Sequence, residues 1–338
     1  MRKISWFTPG SIDINGANWY SPGYSIAAIS TINALKEKNV AVFYNRNDIS
    51  YHINFCLPYY YQYQNSYKVG YTPWESTKIP QGWIQHMQQC DEIWATSNFV
   101  KEVYQKNNVH HNIHVIPHGI GEDFTIVDRE ITDTFNFLHI GGDSKRKNAQ
   151  IVVDAFLELY EDDMDYKLYL KYNNFCFAEI YMNNRLVPAT MHPQIIGIPQ
   201  SLDLEDLVKL YHSCHAMVYP TSGEGFGMIP FEAICTGMPT IVTNETGCKD
   251  FAHYSIPLDA EFVTADWNSK QFNEDTGLWA SPDIDQLVEL MKAVVDEYDM
   301  FKKHTIKSAK ILHAEQSWIA VADRILGRIK YYEELSRP

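Results

Sequence analysis

Glu224 and Glu232 stand eight positions apart in Tyr219-Pro-Thr-Ser-Gly-Glu-Gly-Phe-Gly-Met-Ile-Pro-Phe-Glu, the stretch of this chain best suited to chemistry. An apolar strand pattern ends at Tyr219 and a glycine-rich turn covers Gly223–Gly227. A helix is expected to begin near Pro230, because proline's missing N–H costs nothing in a first helical turn. Gly225 and Gly227 let the backbone approach a ligand with no Cβ in the way. Free amides at the turn and helix start can bind phosphate or sugar oxygens. Glu224, from the turn, and Glu232, from the helix, could then hold two faces of one polyhydroxylated ligand through charge-assisted hydrogen bonds. The same residues also have plainer uses. A glutamate near a helix N-terminus complements its dipole, and glycine turns are common connectors. The pattern alone leaves both readings open.

The elements that must position this turn alternate strand and helix signals. In the first half, strands are expected at Lys3–Thr8, Val40–Tyr44, Lys68–Thr72, Glu92–Thr96 and His114–Ile116. Helices are expected around Ile26–Leu35, Trp83–Gln89 and Phe99–Lys106. Tyr51–Tyr67 is aromatic and polar without a clean period, so its structure stays open. Gly121–Thr134 is polar, acidic and poor in core residues, which suggests a linker. A second series follows, with strands at Phe135–Ile140, Tyr166–Leu170, Ile195–Ile198, Ala216–Tyr219 and Thr240–Thr243. Helices are expected around Ile151–Leu159, Leu204–Tyr211 and Ile229–Thr236. This is the rhythm of parallel sheets with crossover helices. Toward the end, Leu287, Val288, Met291, Val294, Val295 and Tyr298 form one apolar helical stripe, and Trp318, Val321, Ala322, Ile325, Leu326 and Ile329 another.

Composition narrows the function classes. The chain has 338 residues, 45% of them hydrophobic, which is enough for two sizeable cores. Its net charge of −14 disfavours broad docking on nucleic acid or an anionic membrane, although a local basic patch could still bind a polyanion. No apolar window approaches the length of a membrane span. The six cysteines form no CxxC pair and read as reduced, mostly buried thiols. Without a secretion signal, Asn244-Glu245-Thr246 reads as a chance sequon, and a cytoplasmic protein is expected.

The segment Glu224-Gly-Phe-Gly227, with Glu232-Ala233 and Gly237-Met-Pro239, resembles the donor-binding signature of retaining glycosyltransferases of family 4. These are α/β enzymes of GT-B fold, with two Rossmann-like domains facing a central cleft. Val115-Ile-Pro-His-Gly-Ile120 resembles the strand end before the family's linker. Phe137-Leu-His-Ile-Gly-Gly-Asp-Ser-Lys-Arg-Lys-Asn148 resembles the start of its second domain. The resemblance implies an acceptor domain at residues 1–125, a nucleotide-sugar domain at 126–310, and a terminal helix at 311–338 crossing back to the first domain. Domain closure would then exclude water and limit donor hydrolysis.

By the same resemblance, Glu232 binds the nucleotide's ribose, while Glu224 and the amides of Gly225, Phe226 and Gly227 contact the donor sugar. Lys147 takes the place of the family's lysine on the donor diphosphate, where an ammonium stabilises the charge developing on the leaving group. The arginine many members carry beside the second glycine is replaced by Gly142, so Arg146 or Lys145 would substitute. Gly23 matches the second of two glycines ahead of the first long helix, in an enlarged loop that also holds Gly16, Asn18 and Trp19. Glu75 would follow a strand and, with Trp19, contact the acceptor. His118, before a glycine at a strand end, could hydrogen-bond a donor hydroxyl or the acceptor. His139 reads as a core histidine.

Other signals carry less. His212, Cys214 and His215 lack a third and fourth ligand at metal spacing. Asp163-Met-Asp165 and Asp283-Ile-Asp285 match a DxD pattern formally, but the second opens a helix, where aspartate is a good cap. No GxSxG elbow and no GxGxxG follow the first strand. The expected function is retaining, metal-independent transfer of a hexose-like sugar from a UDP- or GDP-hexose to an acceptor hydroxyl. No tightly bound cofactor is expected. An epimerase or hydrolase acting on the nucleotide sugar alone, and a noncatalytic nucleotide-sugar-binding scaffold, are the alternatives. Acceptor class and oligomeric state are not legible.

Overall fold

The computed structural model describes residues 1–8, 12–13, 16–17, 22–64, 67–109 and 112–335. The chain forms two compact units. The first comprises Met1–Gly121, Asn268–Gly277 and Ala314–Pro338; the second comprises Glu122–Trp267 and Leu278–His313.

The first unit is built on a six-stranded sheet. Its strands are β1 (Arg2–Phe7), β2 (Val40–Tyr44), β3 (Tyr51–Phe55), β4 (Tyr67–Tyr71), β5 (Glu92–Ala95) and β6 (Ile113–Val115). All pair in parallel, in the order β2-β1-β3-β4-β5-β6. The segment left open by periodicity supplies β3, which is buried at all five positions although it carries His52 and Asn54. Those polar side chains are satisfied inside the sheet, so burial costs them no hydrogen bonds. Ser5 Oγ lies 2.8 Å from His52 Nδ1, and His52 Nε2 lies 3.2 Å from Asn54 Oδ1. Burial lowers the His52 pKa to about 4, so the ring is neutral.

The C-terminal helix Trp318–Leu335 belongs to this unit and buries Trp318, Val321, Ala322, Ile325 and Ile329, largely the expected stripe. It packs on the helix Pro22–Glu37. Arg328 Nη2 reaches the fully buried Glu92 carboxylate at 2.6 Å. The segment Asn268–Gly277 is also part of this unit. Phe272 sits edge-on to Trp74 and Trp83, and Lys78 N–H donates to Thr276 O at 3.0 Å.

The second unit holds another six-stranded sheet: β7 (Phe135–Ile140), β8 (Tyr166–Lys171), β9 (Ile195–Ile198), β10 (Ala216–Tyr219), β11 (Thr240–Thr243) and β12 (Ile256–Leu258). All pairs are parallel, in the order β9-β8-β7-β10-β11-β12. The strand order reverses between β7 and β10. That reversal is a topological switch point, where loops at the carboxyl ends of the two strands diverge and leave a crevice for ligands. The helices Ala149–Tyr160 and Ile284–Asp296 cover one face, the latter burying Leu287, Met291 and Val294 and capped by Asp283.

The segment read as a linker begins where the two units divide and is mostly exposed, but two of its residues, Phe124 and Arg129, are buried. Phe124 is buried against Tyr211. The Arg129 guanidinium is buried and donates to Thr236 O, Thr236 Oγ1 and Tyr211 O at 2.9, 2.7 and 3.0 Å. Its polar composition hid these anchors, because the partners of Phe124 and Arg129 lie far along the chain, at Tyr211 and Thr236.

Candidate active site at the switch point

The two loops that leave the switch point carry most of the residues singled out in the sequence. After β7 the chain runs through Gly141 and Gly142 into a short turn of 3₁₀ helix at Lys145–Lys147. After β10 it runs through Pro220–Gly227 into the helix Met228–Cys235. Side chains and backbone tie the loops together. Asn148 Nδ2 donates to Pro220 O and Ser222 Oγ, each at 2.8 Å. Ser222 N–H donates to Arg146 O at 2.8 Å, and Ala280 N–H to Ser222 O at 2.7 Å.

Glu224 lies at the centre of this arrangement, buried. Its Oε1 accepts from the Lys147 ammonium and from Tyr219 OH at 3.0 Å. The Arg146 guanidinium and Thr221 Oγ1 each lie 3.2 Å from the same oxygen. Among the described residues, the partners of this carboxylate thus gather on Oε1. The Lys147 ammonium also lies over the Tyr219 ring, 5.1 Å from its centroid. Burial would raise the Glu224 pKa, but Lys147 and Arg146 outweigh it and hold the group down at about 2. Burial and the neighbouring Arg146 pull the Lys147 pKa down, with Glu224 holding it back.

Glu232 is buried in the opposite electrostatic condition. Its Oε2 accepts from Tyr211 OH at 2.9 Å. Desolvation raises its pKa to about 8, with only the Tyr211 hydrogen bond opposing. Two glutamates eight residues apart therefore differ in charge at neutral pH, Glu224 ionised and Glu232 mostly protonated.

The surroundings of Gly142, Arg146 and Lys145 differ. A Cβ on Gly142 would lie 2.8 Å from Cys176 Sγ and 3.4 Å from Tyr172 Cβ, so no larger side chain fits without moving that segment. Arg146 supplies a guanidinium from the neighbouring turn, bonded to Gly223 O and close to Glu224. Lys145 points elsewhere, its ammonium over the rings of Phe177 and Trp267.

Gly227 has φ +100°, the left-handed region that glycine alone enters freely, and so starts the helix that carries Glu232. The Phe226 ring packs against Phe231 and Phe251. It faces the core, so a ligand contact from this residue would come from its backbone. His139 is fully buried, and its Nδ1–H donates to Val218 O at 2.8 Å.

The remaining candidates lie in the first unit. His118 is buried against Phe55, Tyr71 and Trp318, and burial lowers its pKa to about 3. Glu75 is half-buried in the loop after β4 and helps raise the pKa of Tyr24 and Tyr104. Gly23 is exposed in the first turn of its helix, with open space where a Cβ would stand. Gly16 falls in a two-residue strand paired with Ile12–Asp13, while Asn18 and Trp19 lie outside the described residues. His212 and His215 both bond to the backbone. His212 Nε2 faces Thr125 O at 3.0 Å, and His215 Nδ1 accepts from Asn136 N–H at 2.9 Å. Sequence reasoning missed Tyr211, Tyr219 and Asn148, whose roles depend on pairings across the fold. The tyrosine ending β10 was the only local hint.

Residues 96–325 match the family 4 glycosyltransferases in conflict systems. The chain belongs to that family. Its fold is GT-B. It superposes on sucrose-phosphate synthase from Thermosynechococcus elongatus with a TM-score of 0.70 at 12% identity, covering 99% of this chain and 100% of that one. Anabaena HepE in complex with UDP and glucose gives 0.67 at 10% identity, covering 98% and 100%. Among relatives, an uncharacterised glycosyltransferase of Methanocaldococcus jannaschii is 26% identical over 161 residues, 46% of this chain and 41% of the relative. The serotype-specific mannosyltransferase WbdA of Escherichia coli is 24% identical over 262 residues, 70% of this chain but only 29% of WbdA.

Proposed function

We propose that this chain transfers a hexose-like sugar from a nucleotide-sugar donor to an acceptor hydroxyl, with retention of anomeric configuration and without a metal ion. The observation that carries the reading is the convergence of Arg146, Lys147 and Glu224 at the switch point of the second sheet. Two partly buried cations there can meet a diphosphate, and Glu224 takes only one of the three N–H donors of Lys147. The second oxygen of Glu224 would accept a hydrogen bond from a donor-sugar hydroxyl. The amides of Gly225, Phe226 and Gly227 would contact the same sugar, and Glu232 would bind the ribose. Family membership supports this assignment, as does the HepE complex with UDP and glucose. A UDP- or GDP-hexose is the donor class proposed.

No carboxylate in the cluster is an obvious covalent nucleophile. The favoured step is front-face displacement. The acceptor oxygen bonds to the anomeric carbon as the bond from that carbon to the diphosphate oxygen breaks. The acceptor's proton passes to the departing phosphate. Lys147 and Arg146 stabilise the charge that collects there. In the first unit, neutral His118 is assigned a hydrogen bond to a donor hydroxyl or the acceptor. Gly23 is assigned to the donor phosphates, and Glu75 with Trp19 to the acceptor.

Calorimetric titration with UDP-, GDP-, ADP- and TDP-sugars, beside Glu232→Ala, tests the binding half. One base should be preferred, and the substitution should weaken binding by roughly 1–3 kcal/mol. Product configuration by NMR, in chelator, tests the rest. An inverted product would sink the mechanism, and loss of activity with chelator would sink metal independence. Product formed without an acceptor would point to the epimerase or hydrolase reading.

A further inference from the structure

The loop after β11 holds the peptide of Glu224 from the far side. Thr246 Oγ1 accepts from Glu224 N–H at 3.1 Å, and Gly247 N–H donates to Glu224 O at 2.8 Å. Consecutive residues of one loop thus take both backbone polar groups of the key residue of another. The fit is close. A Cβ on Gly247 would lie 2.5 Å from both Glu224 O and Gly225 C, so only glycine allows this approach. Thr246, Gly247 and Cys248 are all buried.

Thr246 also has φ +55°. A β-branched residue in the left-handed region is a steric outlier, because its branched Cβ crowds the backbone there. Glycine would sit at this position without strain, but it would bring no hydroxyl to the Glu224 amide. Strain that persists beside a candidate site is reason to look for what the strained group does.

We propose that Thr246 and Gly247 are positioning residues of the donor site, clamping the Glu224 peptide so that its carboxylate points where the sugar must bind. This rests on the reading of Glu224 as the sugar-binding glutamate. The clamp holds the residue assigned to the sugar half of the donor, whereas Lys147 and Arg146, assigned to the diphosphate, come from the other loop. It therefore separates the two affinities.

The experiment compares Thr246→Gly, Thr246→Val and Thr246→Ser with wild type. Amide exchange of the peptide containing Glu224 is measured in each, together with affinities for UDP, UDP-glucose, GDP and GDP-mannose. Thr246→Gly and Thr246→Val should speed exchange of the Glu224 amide by tenfold or more. They should also lower affinity for the preferred nucleotide sugar about tenfold, while the matching nucleoside diphosphate binds as in wild type. Thr246→Ser, which keeps the hydroxyl, should restore both. Thr246→Gly should melt no lower than Thr246→Val, because it relieves strain. Unchanged exchange at Glu224 in Thr246→Val would overturn the clamp, as would equal losses for nucleoside diphosphate and nucleotide sugar. If wild type binds no nucleotide sugar, the donor reading falls, while exchange at Glu224 still decides whether the clamp exists.

Discussion

Lys147 reaches Glu224 across the switch point of the second sheet, 77 residues away in sequence, and the two form a buried ion pair. Removing one partner of such a pair leaves an uncompensated buried charge, which typically costs about 3–5 kcal/mol. Lys147→Ala should therefore destabilise the second unit by roughly that amount, read from chemical denaturation. The double variant Lys147→Ala/Glu224→Gln should recover much of the loss. A loss under about 1 kcal/mol in the single variant would mean that Arg146 alone supports Glu224.

Glu224 also fixes a response to acid. Its pKa is about 2 when folded, below the ordinary 4.5, so it favours the folded state once both states are ionised. That contribution is present in full above about pH 4.5 and is lost as pH falls toward 2, worth on the order of 3 kcal/mol. Thermal melting between about pH 2 and pH 5 should fall steeply for wild type and less steeply for Glu224→Gln. Equal slopes would mean that the carboxylate is not held by its cations.

Glu232 acts in the opposite direction. Its folded pKa near 8 lies above the ordinary 4.5, so the folded chain binds the extra proton. Stability from this group is present in full below about pH 4.5 and falls as pH rises to about 8. Glu232→Gln should flatten stability across that range. If hydroxyls of a ribose bind the ionised carboxylate, they lower its pKa. Donor affinity should then rise with pH up to about 8 and level off, with a proton released on binding at neutral pH. Calorimetry in buffers of differing ionisation enthalpy measures that proton directly.

Arg146, rather than any residue at position 142, should carry the arginine's role. Arg146→Ala should weaken donor binding by roughly 1–3 kcal/mol, the scale of lost charged hydrogen bonds. Restoring arginine with Gly142→Arg should lower the melting temperature without compensating for Arg146→Ala, because Cys176 and Tyr172 fill the space beside Gly142. Recovery of binding in the double variant would refute this placement.

In the first unit, Arg328 anchors the C-terminal helix to buried Glu92, which also accepts from Tyr51 OH at 3.1 Å and Trp94 Nε1 at 2.9 Å. Arg328→Met should cost about 3 kcal/mol and expose the helix Trp318–Leu335 to limited proteolysis. Unchanged cleavage would show that the apolar stripe holds the helix without the ion pair.

The legible part of the fold was the part written in local pattern. Phe135–Ile140, Ile195–Ile198, Ala216–Tyr219 and Thr240–Thr243 read as strands over the same residues the structure assigns, because short runs rich in apolar and β-branched residues mark strands. Tyr51–Phe55 did not, although it is just as buried. Its His52 and Asn54 are paid for by Ser5 and by partners on neighbouring segments, which no window of sequence contains. Phe226 illustrates a second limit. It lies within the glycine motif, yet its ring completes an aromatic cluster with Phe231 and Phe251.

By itself the sequence determined most of the strands and helices, the two αβ series, and the pair of glutamates set eight residues apart beside a glycine turn. These follow from side-chain periodicity and turn chemistry, which act over a few residues. Only the tertiary structure decided that Glu224 is ionised and Glu232 mostly neutral, that Arg146 lies beside Glu224 while Gly142 faces Cys176, and that Thr246 grips the Glu224 peptide. Charge state depends on burial and on which cation lies within a few ångströms. Those neighbours come from loops brought together by the crossing order of the sheet, far apart along the chain.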